Sequence, residues 1–466
     1  MTASIDHWAD VYRDVHANPE LGFAETRTAG IAESHLSSMG FEVTTGVGGT
    51  GVVGLVRNGP GPTVLVRADM DALPVLEATG LPYASTKVRT DQAGNQTPVM
   101  HACGHDLHVA CLLGACERLA ESLDTWSGTL MAVFQPAEEL GTGARAMIND
   151  GLYARFGTPV VVLGQHVAPL PAGVLGLRAG AAFAAADSLK VTLHGQGGHG
   201  SRPEACVDPV VMAAATVLRM QSIVSREIPA GETAVVTIGT VHAGTATNII
   251  PDRAELGLSI RTFSAEVRDR ILAAIERIAR GEAATAGAPR PPEVELAYSF
   301  PAVINDEAAC ARTLPALQSA SQMIVDPGPV PGSEDVGLLA SAAGAPCVYW
   351  LLGGTDPADF DGATTIDEIA ARSRDLPSNH SPMFAPVIEP TLSAGIGALT
   401  AAAASWLQRL ARLRVVDRSA TRHLPPCQLA DAQPRCREIA APPSAILRRL
   451  LRSREAVELV RCAAGG

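Results

Sequence analysis

The chain has 466 residues, of which 47% are hydrophobic and 18% charged, and its formal charge is −12. That size and composition exclude a disordered chain and lead us to expect more than one domain. The acidic balance argues against a nucleic-acid partner, and no run of about 18 apolar residues offers a transmembrane helix. The N-terminal MTASIDHWADVYRD has neither the basic nor the apolar segment of a signal peptide. Nine cysteines without paired spacing fit reduced thiols, so a cytoplasmic location is expected.

In chain order, residues 25 to 39 predict an amphipathic helix stopped by Gly40. The apolar runs 51–57, 63–68, 129–135 and 160–165 predict strands, the first two joined by NGPGP as a hairpin. A helix is expected from Leu107 to Ala120. Near-continuous apolar strands alternating with helices predict an α/β layer with helices on both faces. From residue 187 the order becomes strand 188–195, helix 208–224 capped by Asp208, strands 233–241 and 254–263, helix 264–279 capped by Ser264, and strand 293–300. This β-α-β-β-α-β order is that of a ferredoxin-like α+β unit. A strand at 347–352 and a helix over 388–411 resume the α/β pattern. The expectation is therefore a mixed-sheet α/β domain, residues 1–186 and 301–412, interrupted by an inserted ferredoxin-like α+β domain, residues 187–300. Residues 413–466, with ten arginines against five acidic residues, are expected to form a poorly ordered extension.

Polar clusters punctuate the apolar pattern. RADMDALP (67–74), QPAEELG (135–141) and GQHVAP (164–169) follow predicted strands, while MHACGHD (100–106) and NHSPMF (379–384) precede helices. Sites in open α/β sheets gather at the carboxyl ends of strands, so these clusters can converge. Cys103 and His105 are two apart, and in extended backbone they would project to the same side and grip one metal. Adjacent Glu138 and Glu139 would diverge, one holding metal while its neighbour handles a water's proton. Taken singly, Cys103 reads as a small buried hydrophobe, His166 as a core histidine and the glutamates as a solvated pair. Their joint placement favours a metal site. In the inserted region, HGQGGHGSRPE (194–204) is either a flexible turn or a loop that carries His199 across a cleft. Asn248 and Arg261 suit a substrate carbonyl and carboxylate, and equally a turn residue and a strand-edge ion pair.

These motifs, with GTATNIIPD (244–252) and GSEDVG (332–337), appear in an order that closely resembles the metal-dependent amidohydrolases. That group includes hippurate hydrolases, N-acyl-amino acid hydrolases and auxin-conjugate hydrolases, within the dinuclear-metal aminoacylase and carboxypeptidase family. The resemblance spans residues 12 to about 411. It implies Cys103, His105, Glu139, His166 and His380 as ligands of two divalent metal ions, Mn or Zn first and Co or Ni as alternatives. It also implies Glu138 as general base and acid, with Asp71 orienting a ligand imidazole. His199 would be an oxyanion donor, and Asn248 and Arg261 would be substrate-binding groups. The resemblance makes residues 1–186 and 301–412 the catalytic metal-binding domain and 187–300 a lid. The substrate would be a small N-acyl-amino acid, and a homodimer through the lid is expected, with no nucleic-acid or membrane partner. An N-acetyl-amino acid deacetylase, a dipeptidase and a non-catalytic ligand-binding relative are the alternatives. A Cys103-nucleophile hydrolase would leave Glu138, Glu139, His166 and His380 without a role. Val336 stands where relatives commonly carry an aromatic, and Arg202 where many have a smaller or apolar residue, which bears on specificity.

Overall fold

Eight strands make the larger sheet of the computed structural model, which describes residues 4–407 apart from 92, 322 and 364. Across this mixed sheet the order is Glu42–Val47, Gly51–Asn58, Gly128–Gln135, Thr63–Asp69, Val161–Pro171, Cys347–Thr355, Leu175–Gly176 and Ile324–Val325. The central strands are buried almost throughout, which explains why they read as unbroken apolar runs. Helices Ile5–His16, His105–Glu121 and Thr391–Trp406 share one apolar core on one face of the sheet, and the short helices Gly143–Asn149 and Val336–Ala343 share another. The expected mixed α/β architecture is thus present.

A separate four-stranded antiparallel sheet is ordered Ala234–Ala243, Arg253–Thr262, Ala185–His194 and Glu293–Phe300. Helices Pro209–Met220 and Ala265–Thr285 cover it with a core of their own, including Val191, Leu256, Ile260 and Ile275. Both begin as capping chemistry dictates. The Asp208 side chain accepts from the Val210 N–H, and the Ser264 hydroxyl accepts from the Val267 N–H.

Three expectations need correction. Strands Gly51–Asn58 and Thr63–Asp69 are not a hairpin. Gly128–Gln135 lies between them, antiparallel to the first and parallel to the second. The hairpin partner of Gly51–Asn58 is Glu42–Val47, which the sequence pattern had not flagged. The loop Gly59–Pro62 instead lets the Pro62 carbonyl accept from the Thr129 N–H. Secondly, the helix after MHACGHD begins at His105, and Cys103 sits in a turn rather than in extended backbone. Thirdly, His166 lies inside the strand Val161–Pro171 rather than after it. The extension at 413–466 and the end of the 388–411 helix lie outside the described residues.

Candidate metal centre

The centre is built where strand ends, one tight turn and one helix start meet. Gly104 adopts φ +80°, and a Cβ there would lie 2.3 Å from Val167 Cγ1. Both facts require glycine, and the resulting left-handed turn, not strand periodicity, swings Cys103 and His105 to the same place. His166 Nδ1 lies 2.8 Å from the Val167 carbonyl and so carries the proton. Its Nε2 is left facing Cys103 Sγ at 3.5 Å. His380, at φ +70°, is pinned by its own N–H donating to the Ala102 carbonyl at 2.7 Å. The neighbouring Asn379 amide donates to the Cys103 and Val167 carbonyls.

The glutamate pair occupies the turn after Gly128–Gln135, and contrary to expectation the two side chains converge. Glu138 Oε2 and Glu139 Oε1 lie 4.0 and 3.9 Å from His105 Nε2, and Glu139 Oε1 lies 3.2 Å from His380 Nε2. Asp71 supports both sides of this meeting. Its oxygens accept from the Glu138 and Glu139 N–H groups at 3.1 and 3.0 Å, and Oδ1 sits 3.3 Å from His105 Nδ1.

Candidate ligand atoms therefore cluster in overlapping sets: Cys103, His105 and His166; Cys103, Glu139 and His380; His105, Glu138 and Glu139. Within each set the atoms lie within 4.8 Å of one another. His105 Nε2 is buried without a hydrogen-bond partner, an arrangement that costs about 1–3 kcal/mol unless something else satisfies it, while buried Glu139 Oε1 faces that ring and His380. Imidazole, thiol and carboxylate donors in such proximity suit a borderline divalent ion. The residues present fit the metal group that the motifs imply.

Buried charge surrounds this cluster. Burial pushes Glu138 well above the usual carboxylate range, and Glu334, Glu139 and Asp335 push it in the same direction. Several of the supporting groups were not singled out from the sequence. Asp69 Oδ1 accepts from His108 Nδ1, and His108 Nε2 accepts from the Val167 N–H at 2.8 Å, which fixes the imidazole tautomer. Arg67, fully buried, pairs with Asp69 at 2.6 Å, Glu334 at 2.7 Å and Asp335 at 3.2 Å. It also donates to Gln135 and Tyr349. The available signal was two charges, Arg67 and Asp69, inside an otherwise apolar central strand, because buried charges demand partners.

In the four-stranded unit, His199 and Asn248 are neighbours. Gly198–His199 pairs with Ile249–Ile250, and the Gly200 N–H donates to the Asn248 carbonyl at 2.8 Å. His199 Nδ1 accepts from the Ser201 N–H at 3.1 Å, so the proton sits on exposed Nε2. Arg261, half-buried on Arg253–Thr262, donates to the Ile260 carbonyl. Among the described residues, no hydrogen bond or ion pair links these three to the metal cluster.

A cradle of mixed ligands beside a buried carboxyl group whose proton affinity is raised by burial and by neighbouring carboxylates belongs to a metal-dependent hydrolase. Comparison with known proteins then gives the family. The model of peptidase family M20/M25/M40 matches residues 65–374, and the chain belongs to that family. A hippurate hydrolase of Campylobacter jejuni is 42% identical over 273 residues, 58% of this chain and 68% of that protein. An N-acetyl-L-cysteine deacetylase of Bacillus subtilis is 34% identical over 369 residues, 77% of this chain and 83% of that protein. Among solved structures, a Bacillus subtilis dinuclear metal binding peptidase of the M20 family superposes with TM-score 0.69 at 29% identity, covering 86% of this chain and 98% of that one. The chain is an amidohydrolase.

Proposed function

We propose that the protein hydrolyses the amide bond of N-acyl-amino acids of the hippurate type, releasing a carboxylic acid and a free amino acid. The observation that carries this reading is Glu138, a buried carboxyl group 4.0 Å from His105 Nε2 and adjacent in the chain to Glu139. Cys103, His105, Glu139, His166 and His380 would hold two divalent ions, Mn or Zn. When bound, these supply Lewis acidity toward water and the scissile carbonyl. Glu138 takes the proton of the attacking water and delivers it to the leaving nitrogen. A carboxyl group raised above the usual carboxylate range is better able than an ordinary carboxylate to accept a proton and pass it on. Asp71 keeps the Glu138–Glu139 turn and the His105 ring in register.

Residues 187–300 would act as a lid that brings His199 Nε2–H to the developing oxyanion, with Asn248 on the substrate carbonyl and Arg261 on its carboxylate. Strand Ala234–Ala243 lies at a sheet edge, which supports a homodimer formed through this unit. None of the described helices is long and apolar enough to cross a membrane.

The test is amino-acid release from N-benzoylglycine and a panel of N-acyl amino acids that includes N-acetylcysteine. Chelator-stripped protein would be assayed with and without Mn²⁺ or Zn²⁺. Turnover restored by metal and lost in Glu138→Gln is expected. Chelator-resistant turnover, or a near-wild-type rate for Glu138→Gln, would remove the mechanism.

A further inference from the structure

Glu25 precedes helix Thr26–Ser38 at the N-cap position, where a short polar side chain usually accepts from the helix's own first N–H groups. Its side chain makes no such bond. Glu20 does that work instead, accepting from the Arg27 and Thr28 N–H groups at 3.0 and 2.9 Å. The Glu25 carboxylate is released to turn inward, and the residue is 0% exposed.

There it meets the catalytic turn. Oε1 accepts from the Ala137 N–H at 2.8 Å, and Oε2 accepts from the Thr50 hydroxyl. Ala137 adopts φ +48°, a left-handed conformation that a non-glycine residue holds only when its surroundings enforce it. With Asp71 on the next two N–H groups, three successive amides (137, 138 and 139) each donate to a buried carboxylate. The apolar contacts point the same way. A Cβ on Gly22 would lie 2.9 Å from Leu140 Cδ1 and 3.2 Å from Ala137 Cα, so the segment bearing Glu25 lies directly against this turn.

We infer that Glu25 is a positioning residue for the Glu138–Glu139 pair, fixing the strained turn from which both carboxylates reach the site. The inference rests on the proposed role of Glu138. Removing the Glu25 acceptor leaves a buried Ala137 N–H unpaired and frees the turn to relax toward an ordinary backbone conformation. Glu138 then moves away from the reacting atoms while the substrate-binding surfaces stay in place.

Two readouts test this on the full chain. In metal-free protein, hydrogen exchange of the amides of residues 137–139 should speed up about tenfold to hundredfold in Glu25→Ala. At saturating Mn²⁺, kcat of the same variant should fall on the order of hundredfold with little change in KM. Glu25→Gln, whose amide oxygen can still accept from Ala137, should restore both. If Glu25→Ala does not fold, Glu25→Asp replaces it, since it keeps the charge but withdraws the acceptor by one methylene. A folded Ala or Asp variant with wild-type exchange and wild-type kcat overturns the inference, as does a Gln variant as impaired as Ala. Glu138→Gln is measured in parallel. A near-wild-type rate there sinks the base assignment, whereas an inactive Glu138→Gln beside a fully active Glu25→Ala sinks only the positioning role.

Discussion

His16→Phe isolates the electrostatic value of one buried contact. His16 Nδ1 lies 2.6 Å from Asp106 Oδ2, and Nε2 lies 3.1 Å from Glu77 Oε1, with all three side chains at most 1% exposed. Both ring nitrogens face carboxylate oxygens, so both must carry protons and the imidazole is a cation. Burial opposes that charge, but Asp106 and then Glu77 outweigh it and raise the group from 6.5 to about 10. A rise of that size is worth on the order of 4–5 kcal/mol by linkage. Phenylalanine keeps the packing against Tyr12 and Tyr83 while leaving two buried carboxylates without their cation, a loss of roughly 3–5 kcal/mol.

The pH dependence gives this prediction its sign. A group whose folded pKa is raised contributes fully below its unfolded value. Its contribution then disappears as pH climbs through the folded value. Wild-type protein should therefore lose this stability between pH 6.5 and about 10. The variant has no such titration to lose, and its deficit should narrow over the same window. The assay is urea unfolding of chelator-stripped protein, followed by tryptophan fluorescence, at intervals from pH 6 to 10. A deficit below about 1 kcal/mol at pH 6, where roughly 3–5 is expected, would refute the reasoning. So would a deficit that stays flat to pH 10.

Arg67→Met strands Asp69, Glu334 and Asp335 without their shared guanidinium, and should cost about 3–5 kcal/mol in denaturant unfolding. A wild-type midpoint would show that the carboxylates are neutralised by other groups. His199→Ala should lower kcat about 10²–10³-fold without moving the thermal midpoint, since the side chain is exposed. An unchanged kcat would remove its oxyanion role. Adding Mn²⁺ at a hundredfold excess over its Kd to stripped protein should raise stability by about 2.7 kcal/mol. Thermal shift assays on wild-type protein and Cys103→Ala should show that increment lost in the variant.

What the sequence revealed divides along physical lines. Helix caps at Asp208 and Ser264 and the apolar central strands are written locally, in a few adjacent residues, and could be read directly. Strand partnership is not local. The loop NGPGP looks like a hairpin, yet Gly128–Gln135 pairs on both sides of it because burying that strand between two others satisfies both of its hydrogen-bonding edges. The candidate ligand residues stand in motifs that the sequence displays, while the geometry that unites Cys103 with His105 is not displayed there. It depends on a glycine turn pressed against Val167, a residue more than sixty positions away.

The supporting residues were the hardest to read, and Glu25 shows why. Its sequence neighbourhood proposes a helix start, and a glutamate there invites an explanation in terms of that helix. The actual partner is an N–H 112 residues further along, and the sign that Glu25 is free to take it lies in Glu20, which has already satisfied the helix. Arg67 follows the same rule. A charge inside an apolar strand announces that partners exist, but Glu334 and Tyr349 can be named only once the chain is folded. Motifs therefore mark the atoms that meet the substrate, whereas the carboxylates that hold those atoms in place are chosen by burial, where every donor must find an acceptor. A buried acid that bonds no group of its own helix is, by this logic, a pointer to the turn it serves.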